Sequence, residues 1–340
     1  MLHCLAARDG LDYDPQPLGL RSAREAISSD YRRRGVAIDP DRLVLTASTS
    51  EAYGWLFKLL CKPDGDTILT PVPSYPLFDH LTRLEGVLAE PYRLEYHGRW
   101  SIDFASLDHV WTDEVRGVLT VSPNNPTGST IDPAELETLG ERCAYYGAGL
   151  IVDEVFADYP LREAPLESLA MPSGCLGFRL GGLSKSAGLP QLKLGWIAVS
   201  GPDDAVARAM EHLELIADTY LSVSTPVQVG AGALIRDGSS VRSQIAARVR
   251  RNYAALQAAA ARHASIEVLA ADAGWSAVLR VPATTPEETL VVDLLEQDGV
   301  LVHPGYFFDF ATEAYLVVSL LPHPDVFDEG IRRAMERAGG

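Results

Sequence analysis

The stretch Gly181-Gly-Leu-Ser-Lys185-Ser-Ala-Gly-Leu-Pro-Gln-Leu-Lys193-Leu-Gly195-Trp196 contains two of the four lysines in the chain. The other two are Lys58 and Lys62, whereas arginine occurs 25 times. Arginine cannot replace lysine where a reaction needs a nucleophilic nitrogen, because guanidinium stays protonated while an amine can lose its proton and attack an aldehyde. A solvated surface lysine is the alternative interpretation, but the small residues on both sides of Lys185 favour a functional amine.

Short apolar runs alternate with helical patterns over most of the chain. The helical patterns include residues 51–60 and 133–146. Strands are predicted at Leu43–Thr46, Thr67–Thr70, Gly117–Val121, Gly149–Val152 and Trp196–Val199. This alternation predicts an α/β fold with a mostly parallel sheet covered by helices on both faces. Ligands of such sheets bind beyond the carboxyl ends of the strands.

The pattern changes after residue 240. An Ala- and Arg-rich helix is predicted over 241–263, which is long enough to connect two domains. Beyond it, strands are predicted at 275–281, 300–302 and 314–320, and helices at 287–297 and 324–337. We therefore predict an N-terminal arm over 1–19, a large domain over 20–240, the connecting helix, and a small α+β domain over 264–340.

The composition excludes several classes of partner. The formal net charge is −17 and the isoelectric point is about 4.8, so we expect neither nucleic-acid nor membrane binding. The cysteines are scattered without metal-ligand spacing, so no metal site is predicted. We expect a cytoplasmic protein, because the sequence has no signal peptide and no apolar run of transmembrane length.

Three other segments place polar side chains directly after predicted strands. Ser48-Thr49-Ser50 begins a helix, whose free N–H groups and dipole would bind an anion; a simple serine N-cap is the alternative. Ser122-Pro-Asn-Asn125-Pro-Thr-Gly128 is a turn that offers an amide donor at Asn125. Asp153 follows an apolar run, and a carboxylate buried there needs a cation, such as a protonated pyridine nitrogen.

With these motifs in this order, the chain resembles the class I and II aminotransferases of fold type I, which use pyridoxal 5′-phosphate (PLP). The resemblance extends from about Tyr13 to the C-terminus. It is most specific at Asn124–Gly128, Asp153-Glu-Val155 and Ser184-Lys185. It implies a large PLP-binding domain with a mostly parallel sheet of the seven-stranded type between helices, and a smaller α+β C-terminal domain.

The resemblance implies a role for each residue near the PLP ring. Lys185 would form the Schiff base with the cofactor and later move the substrate proton. Asp153 would keep the pyridine nitrogen protonated, so that the ring can accept electrons. Asn125 would donate to the ring O3′, and Tyr75 would stack on the ring, although a tyrosine of the core or of a turn is the alternative. Lys185, Asp153 and Tyr75 are the predicted catalytic residues.

The resemblance also implies how the phosphate of PLP is bound. The predicted ligands in the same chain are Ser48, Thr49, Ser50, Ser184 and Lys193. Tyr13 would reach the phosphate of the neighbouring subunit, which predicts a homodimer with shared sites. The arm that carries Tyr13 is shorter than is usual in the family.

Several positions depart from the family pattern. Phe156 stands where a tyrosine usually donates to O3′, which predicts a Schiff base that keeps its proton to higher pH. Lys193 replaces an arginine, and Gly182 replaces a serine or threonine of the phosphate site. Val317 stands where an arginine usually binds the substrate carboxylate, so alanine and aspartate should bind weakly unless another arginine serves. Arg280 is a candidate, with a surface arginine as the simpler interpretation.

Three functions remain open at this point. The first is transfer of an amino group between an amino acid or amine and a keto acid or other carbonyl partner, both small molecules. The second keeps PLP but performs β-elimination, as C–S lyases of this fold do. The third is PLP binding without turnover. The absence of a carboxylate-binding arginine (a carboxylate clamp) at Val317 is consistent with this function, whereas the intact Lys185 argues against it. Amino-group transfer is the predicted function.

Overall fold

The computed structural model describes residues 2–164, 166 and 168–339; Met1 of the predicted arm and Gly340 of the predicted small domain lie outside them. Within these ranges the large domain is built on an eight-stranded sheet with the spatial order β1-β8-β7-β6-β5-β2-β3-β4. The strands are β1 Leu43–Thr46, β2 Thr67–Val72, β3 Leu88–Tyr96, β4 Trp100–Ile102, β5 Val115–Val121, β6 Gly149–Asp153, β7 Gly177–Gly182 and β8 Gly195–Ser200.

The sheet is parallel from β3 through β2, β5 and β6 to β7, and antiparallel at both ends. β1 and β6 are buried along their whole length and are apolar except at their last residues, Thr46 and Asp153, as is typical of strands covered on both faces. The prediction of an α/β fold with a mostly parallel sheet is confirmed. The seven expected strands are joined by an eighth, the short edge strand β4, which folds back onto β3.

Helices cover both faces of the sheet. They are α1 Arg21–Arg33, α2 Thr49–Leu60, α3 Phe78–Leu84, α4 Phe104–Val110, α5 Pro133–Tyr146, α6 Leu183–Ser186 and α7 Asp203–Tyr220. The alternation of β6 separates the two layers: Ile151 packs with α2 and α7, whereas Leu150 and Val152 pack with α4 and α5. No helix within the described ranges has the length and apolar character needed to cross a membrane.

The small domain is an antiparallel sheet with helices on it. Its strands, in the spatial order β11-β12-β10-β9, are β9 Glu267–Val268, β10 Ser276–Arg280, β11 His303–Pro304 and β12 Tyr315–Ser319. Its helices are α9 Glu287–Asp298 and α10 Pro324–Gly339. The apolar core of this domain also contains Phe156 and Tyr159, which follow β6 of the large domain. The two domains therefore share a core next to the carboxyl end of β6.

The connecting helix, predicted over 241–263, is α8 Thr225–Ala260 and begins much earlier than predicted. Gly230 and Gly238 lower the helical propensity of its first half, so the sequence pattern does not reveal it. Both glycines permit close packing that offsets this loss. A Cβ atom on Gly238 would lie 2.7 Å from the Cβ of Ala187, and one on Gly230 would lie 2.9 Å from the Sγ of Cys4.

The strand predicted over 300–302 is wrong. The backbone N–H of Val300 donates instead to the carbonyl of Leu294 at 2.8 Å, and Gly299 takes the left-handed conformation that ends helix α9. Pairing with β12 begins only at His303, which lies opposite Val317. The N–H of Val300 therefore completes the end of helix α9 and is not free to pair with a neighbouring strand.

Candidate active site

The predicted site residues converge on one edge of the central sheet. The parallel neighbours β2, β5, β6 and β7 end at the same edge. β8 runs antiparallel to β7 and to β1, so its first residue, Gly195, pairs with the last residues of both, Gly182 and Thr46. The residues that lie at or next to this edge are Ser48, Thr49, Ser50, Tyr75, Asn125, Asp153, Ser184, Lys185 and Lys193.

Asp153 is the last residue of β6 and only 5% exposed. Its Oδ2 accepts a hydrogen bond from the Tyr53 hydroxyl at 2.5 Å, and its Oδ1 accepts one from the backbone N–H of Val155 at 2.9 Å. Burial raises the pKa of this carboxyl to about 6, although both hydrogen bonds and the charge of Lys185 oppose the rise. Since a carboxylate has about four lone-pair sites, Asp153 can accept a further donor.

Lys185 lies in the short helix α6, directly after β7, and its side chain is half-buried. Its Nζ is 5.0 Å from the ring centroid of Trp275 and 5.5 Å from that of Phe156. Burial lowers the pKa of the amine, and the charge of Asp153 opposes this effect. A lower pKa increases the fraction of the unprotonated amine, which is the form that attacks an aldehyde.

Helix α2 begins at Ser48, Thr49 and Ser50, which we call the predicted phosphate cup. Ser48 is its N-cap, and the serine hydroxyl accepts a hydrogen bond from the N–H of Glu51 at 3.2 Å. The N–H groups of Thr49 and Ser50 belong to the first turn, where no acceptor exists within the helix, so they suit an anion. Ser48 is thus the N-cap of the alternative interpretation, and the next two residues offer N–H groups that suit an anion.

Two glycines let the sheet edge approach this cup closely. A Cβ atom on Gly195 would lie 2.9 Å from the carbonyl carbon of Ser48, which is too close without a backbone shift. A Cβ atom on Gly182 would lie 3.2 Å from the carbonyl oxygen of Leu194. The glycine at position 182, where the family usually has a serine or threonine, therefore permits tight packing of β7 against the backbone of Leu194 and Gly195.

Ser184 and Lys193, the other two predicted phosphate ligands, differ in exposure. Ser184 is half-buried in helix α6. Lys193 is exposed, has a left-handed φ of 54°, and precedes Gly195 by two residues. Lys193 therefore lies at the rim of the site, where a flexible ammonium group can reach an anion without being desolvated.

Asn124 joins two of the loops at the sheet edge. Its Nδ2 donates to the carbonyl of Pro73 at 2.9 Å, and its Oδ1 accepts from the Ser74 hydroxyl at 2.8 Å. These bonds tie the turn that contains Asn125 to the segment that contains Tyr75. Asn125 is half-buried, and Tyr75 is 46% exposed, so both can contact a ligand at this edge.

The small domain closes one side of the site. The carbonyl of Gly128 accepts hydrogen bonds from the N–H groups of Asp272 and Ala273 at 2.9 and 3.0 Å. Gly128 has a φ of 67°, and a Cβ atom there would lie 2.6 Å from the carbonyl oxygen of Ala273, so this turn requires glycine. The bonds hold Trp275 in place, with its ring centroid 5.1 Å from that of Tyr159.

The substrate carboxylate has no clamp at either position considered from the sequence. Val317 is 3% exposed and packs in an apolar cluster with Trp100 and Phe308. Arg280, the last residue of β10, is exposed and forms an ion pair with Glu267. Arg280 is thus a surface arginine, as the simpler interpretation held.

Tyr13 stands apart from the other predicted residues. It is 83% exposed on the N-terminal arm, where it lines a shallow cavity with Leu221 and Gln228. It does not belong to the loops that leave the sheet edge beside Lys185. Its predicted role toward a neighbouring subunit stays a prediction.

Three residues of the site were not assigned a role from the sequence: Tyr53, Asn124 and Trp275. Tyr53 follows Thr49 by one helical turn, so the two side chains lie on the same face of α2, and this spacing could have indicated its position. Asn124 belongs to the motif Asn124–Gly128, in which the resemblance implies a role for Asn125 and none for Asn124. Trp275 has no local signal, because its position depends on the packing of the two domains.

Comparisons with known proteins agree with the geometry. The profile of the family described as "Aminotransferase class I and II" matches residues 7–333. The alanine aminotransferase of Mycobacterium bovis is 26% identical over 357 aligned positions, which cover 94% of this chain and 76% of that protein. The glutamate–pyruvate aminotransferase of Escherichia coli is 27% identical over 212 positions, which cover 62% of this chain and 52% of that protein.

Solved structures share the fold. The alanine aminotransferase from Pyrococcus furiosus superimposes with a TM-score of 0.88 at 24% identity, covering 98% of this chain and 86% of that one. The tyrosine aminotransferase from Leishmania infantum has a TM-score of 0.88 at 21% identity, covering 99% and 85%. The prediction of the type I fold is confirmed.

Proposed function

Because the chain belongs to the class I and II aminotransferase family, we propose that it binds PLP at Lys185 and moves an amino group from a small amino donor to a keto acceptor. Members of this family are transferases. The observation that carries the proposal is the half-buried amine of Lys185 near the buried carboxyl of Asp153, at one sheet edge together with the start of α2, which suits an anion.

The residues at this edge fit the three parts of PLP. The first-turn N–H groups of Thr49 and Ser50 suit the phosphate. The buried carboxylate of Asp153 lies near the charge of Lys185 and retains lone pairs for the proton of the ring nitrogen. The amine of Lys185 suits the aldehyde.

When bound, PLP supplies the aldehyde and the electron-accepting ring on which amino-group transfer depends. Lys185 contributes the nucleophile, and its lowered pKa lets it take up and return the proton at the α-carbon of the substrate. Asp153 holds the proton on the ring nitrogen. The rings of Phe156 and Trp275 cover one part of the amine, and reduced contact with water there strengthens the electrostatic interactions around it.

The proposal extends to a homodimer with shared sites. Tyr13 is exposed on the arm, and Tyr75 is partly exposed beside the site, so a neighbouring subunit has access to both. Sedimentation of the PLP-loaded protein should give the mass of a dimer. A monomer that retains full activity would contradict this part of the proposal.

The function is tested by mixing PLP-loaded protein with one amino donor and no acceptor. Transfer predicts conversion of the cofactor to pyridoxamine phosphate, with one keto acid released per site. A panel of donors should be screened by the accompanying shift of the absorbance band. Continuous release of pyruvate and ammonia would instead indicate β-elimination.

Matched lysine variants control this experiment. Lys185→Arg keeps the positive charge but removes the nucleophilic amine, so it should abolish conversion. Lys62→Arg makes the same change at an exposed lysine outside the site and should convert as the wild type does. Equal conversion by both variants would contradict the role of Lys185.

A further inference from the structure

The hydroxyl of Tyr53 contacts Asp153, the proposed partner of the PLP ring nitrogen. Tyr53 is 2% exposed in the middle of α2, and its hydroxyl donates to Oδ2 of Asp153 at 2.5 Å. Its ring is held edge-on by Phe78, with centroids 5.3 Å apart, and is stacked on Phe57 at 6.2 Å. The hydroxyl therefore has a fixed position relative to Asp153.

Asp153 receives its two donors from two different elements. Tyr53 donates from α2, and the N–H of Val155 donates from the turn after β6, each to a different carboxylate oxygen. The carboxylate cannot rotate without breaking one of these bonds. The other charged groups that act on Asp153 are its neighbour Glu154 and the amine of Lys185.

The same helix carries the candidate phosphate cup. Thr49 lies in the first turn of α2 and Tyr53 one turn later, so the helix links the two ends of the proposed cofactor site. Tyr92 is a second buried tyrosine with a different partner. Its hydroxyl donates at 2.9 Å to the backbone carbonyl of Leu119, which does not titrate. Tyr92 therefore provides a matched control for the loss of a buried tyrosine hydroxyl.

We propose that Tyr53 is a positioning residue that holds Asp153 ionised and oriented for the protonated ring nitrogen of PLP. The proposal rests on the proposed function, since it concerns the same cofactor. Without the hydroxyl, Asp153 would keep one donor, would rotate more freely and would be protonated more readily, because hydrogen bonds to the ionised form favour that form.

The first test compares PLP binding by Tyr53→Phe and Tyr92→Phe, both of which keep the aromatic ring. A hydrogen bond to a charged group corresponds to roughly tenfold or more in a binding constant. Tyr53→Phe should therefore raise the PLP concentration for half-saturation by about tenfold or more, and Tyr92→Phe should leave it near the wild-type value. Borohydride reduction should still place the adduct on Lys185 in both variants.

The second test needs no cofactor. The Asp153 carboxyl is titrated by ¹³C NMR and assigned with Asp153→Asn. Its midpoint should move to higher pH in Tyr53→Phe and stay in place in Tyr92→Phe. Unchanged values of both the midpoint and the half-saturating PLP concentration would overturn the proposal. Failure of the wild type to form any adduct at Lys185 would overturn the proposed function instead, and the titration would still decide whether Tyr53 acts on Asp153.

A third measurement uses the wild-type protein alone, in case Tyr53→Phe does not fold. The ¹³Cζ resonance of Tyr53 should shift with the same midpoint as the carboxyl of Asp153, because the two groups share a hydrogen bond. The resonance of Tyr92 should not follow that midpoint. A Tyr53 resonance that ignores the titration of Asp153 would overturn the proposal.

Discussion

Burial of Asp153 should make the cofactor-free protein less stable as the pH rises from 4 to 6. The pKa of this carboxyl is about 6 in the folded protein, against about 3.9 in an unfolded chain. Because the folded value is the higher one, the folded protein binds more protons within this window, and the free energy of unfolding falls as the pH rises through it. The difference between the two values corresponds to about 3 kcal/mol, fully lost above the folded pKa.

The assay is urea unfolding of the cofactor-free wild type and of Asp153→Asn between pH 4 and pH 8. Asparagine keeps the size of the side chain but does not titrate, and the other ionisable groups contribute about equally to both proteins. The free energy of unfolding of the variant, relative to the wild type, should therefore rise by about 2 kcal/mol from pH 4 to pH 8, because at pH 4 the carboxyl of the unfolded chain is already about half ionised. If the free energies of unfolding of the two proteins changed in parallel with pH, the pKa of Asp153 would not be raised in the folded protein.

Three further substitutions test the surroundings of the site. Phe156→Tyr should place a donor near O3′ and lower the midpoint of a spectral pH titration of the PLP-loaded protein; an unchanged or higher midpoint would place Phe156 elsewhere. Val317→Arg should bury an unpaired charge in an apolar cluster and reduce the free energy of unfolding by several kcal/mol, about the penalty for one desolvated ion. The wild type, lacking an arginine there, should need high concentrations of alanine or aspartate for half-maximal conversion. Gly195→Ala should push Ser48 away and weaken PLP binding, whereas Gly65→Ala, which meets no atom within 4 Å, should not; equal affinities would argue against the cup.

Local signals predicted some elements with accurate boundaries. Helix α5 has the predicted bounds Pro133–Tyr146, because Asp132 and Glu135 form a capping box at its start and Gly147 ends it in the left-handed conformation. The convergence of the motifs was also predictable, because parallel strands end at the same edge of a sheet.

Other features depend on tertiary packing. Strand β7, Gly177-Phe-Arg-Leu-Gly-Gly182, has no β-branched residue and was not predicted; it is stabilised by pairing with β6 and β8 on either side. The bond between Tyr53 and Asp153 joins residues 100 positions apart, so no local pattern indicates it. Trp275 reaches Lys185 only because the small domain packs onto the turn at Gly128.

The proposed function depends on Lys185 as the residue that holds PLP. The most direct test is to load the full-length protein with PLP, reduce it with borohydride, digest it, and locate the added mass by peptide mapping. We expect one adduct per chain, on Lys185. An adduct on Lys58 or Lys62, or no adduct at any lysine, would contradict it.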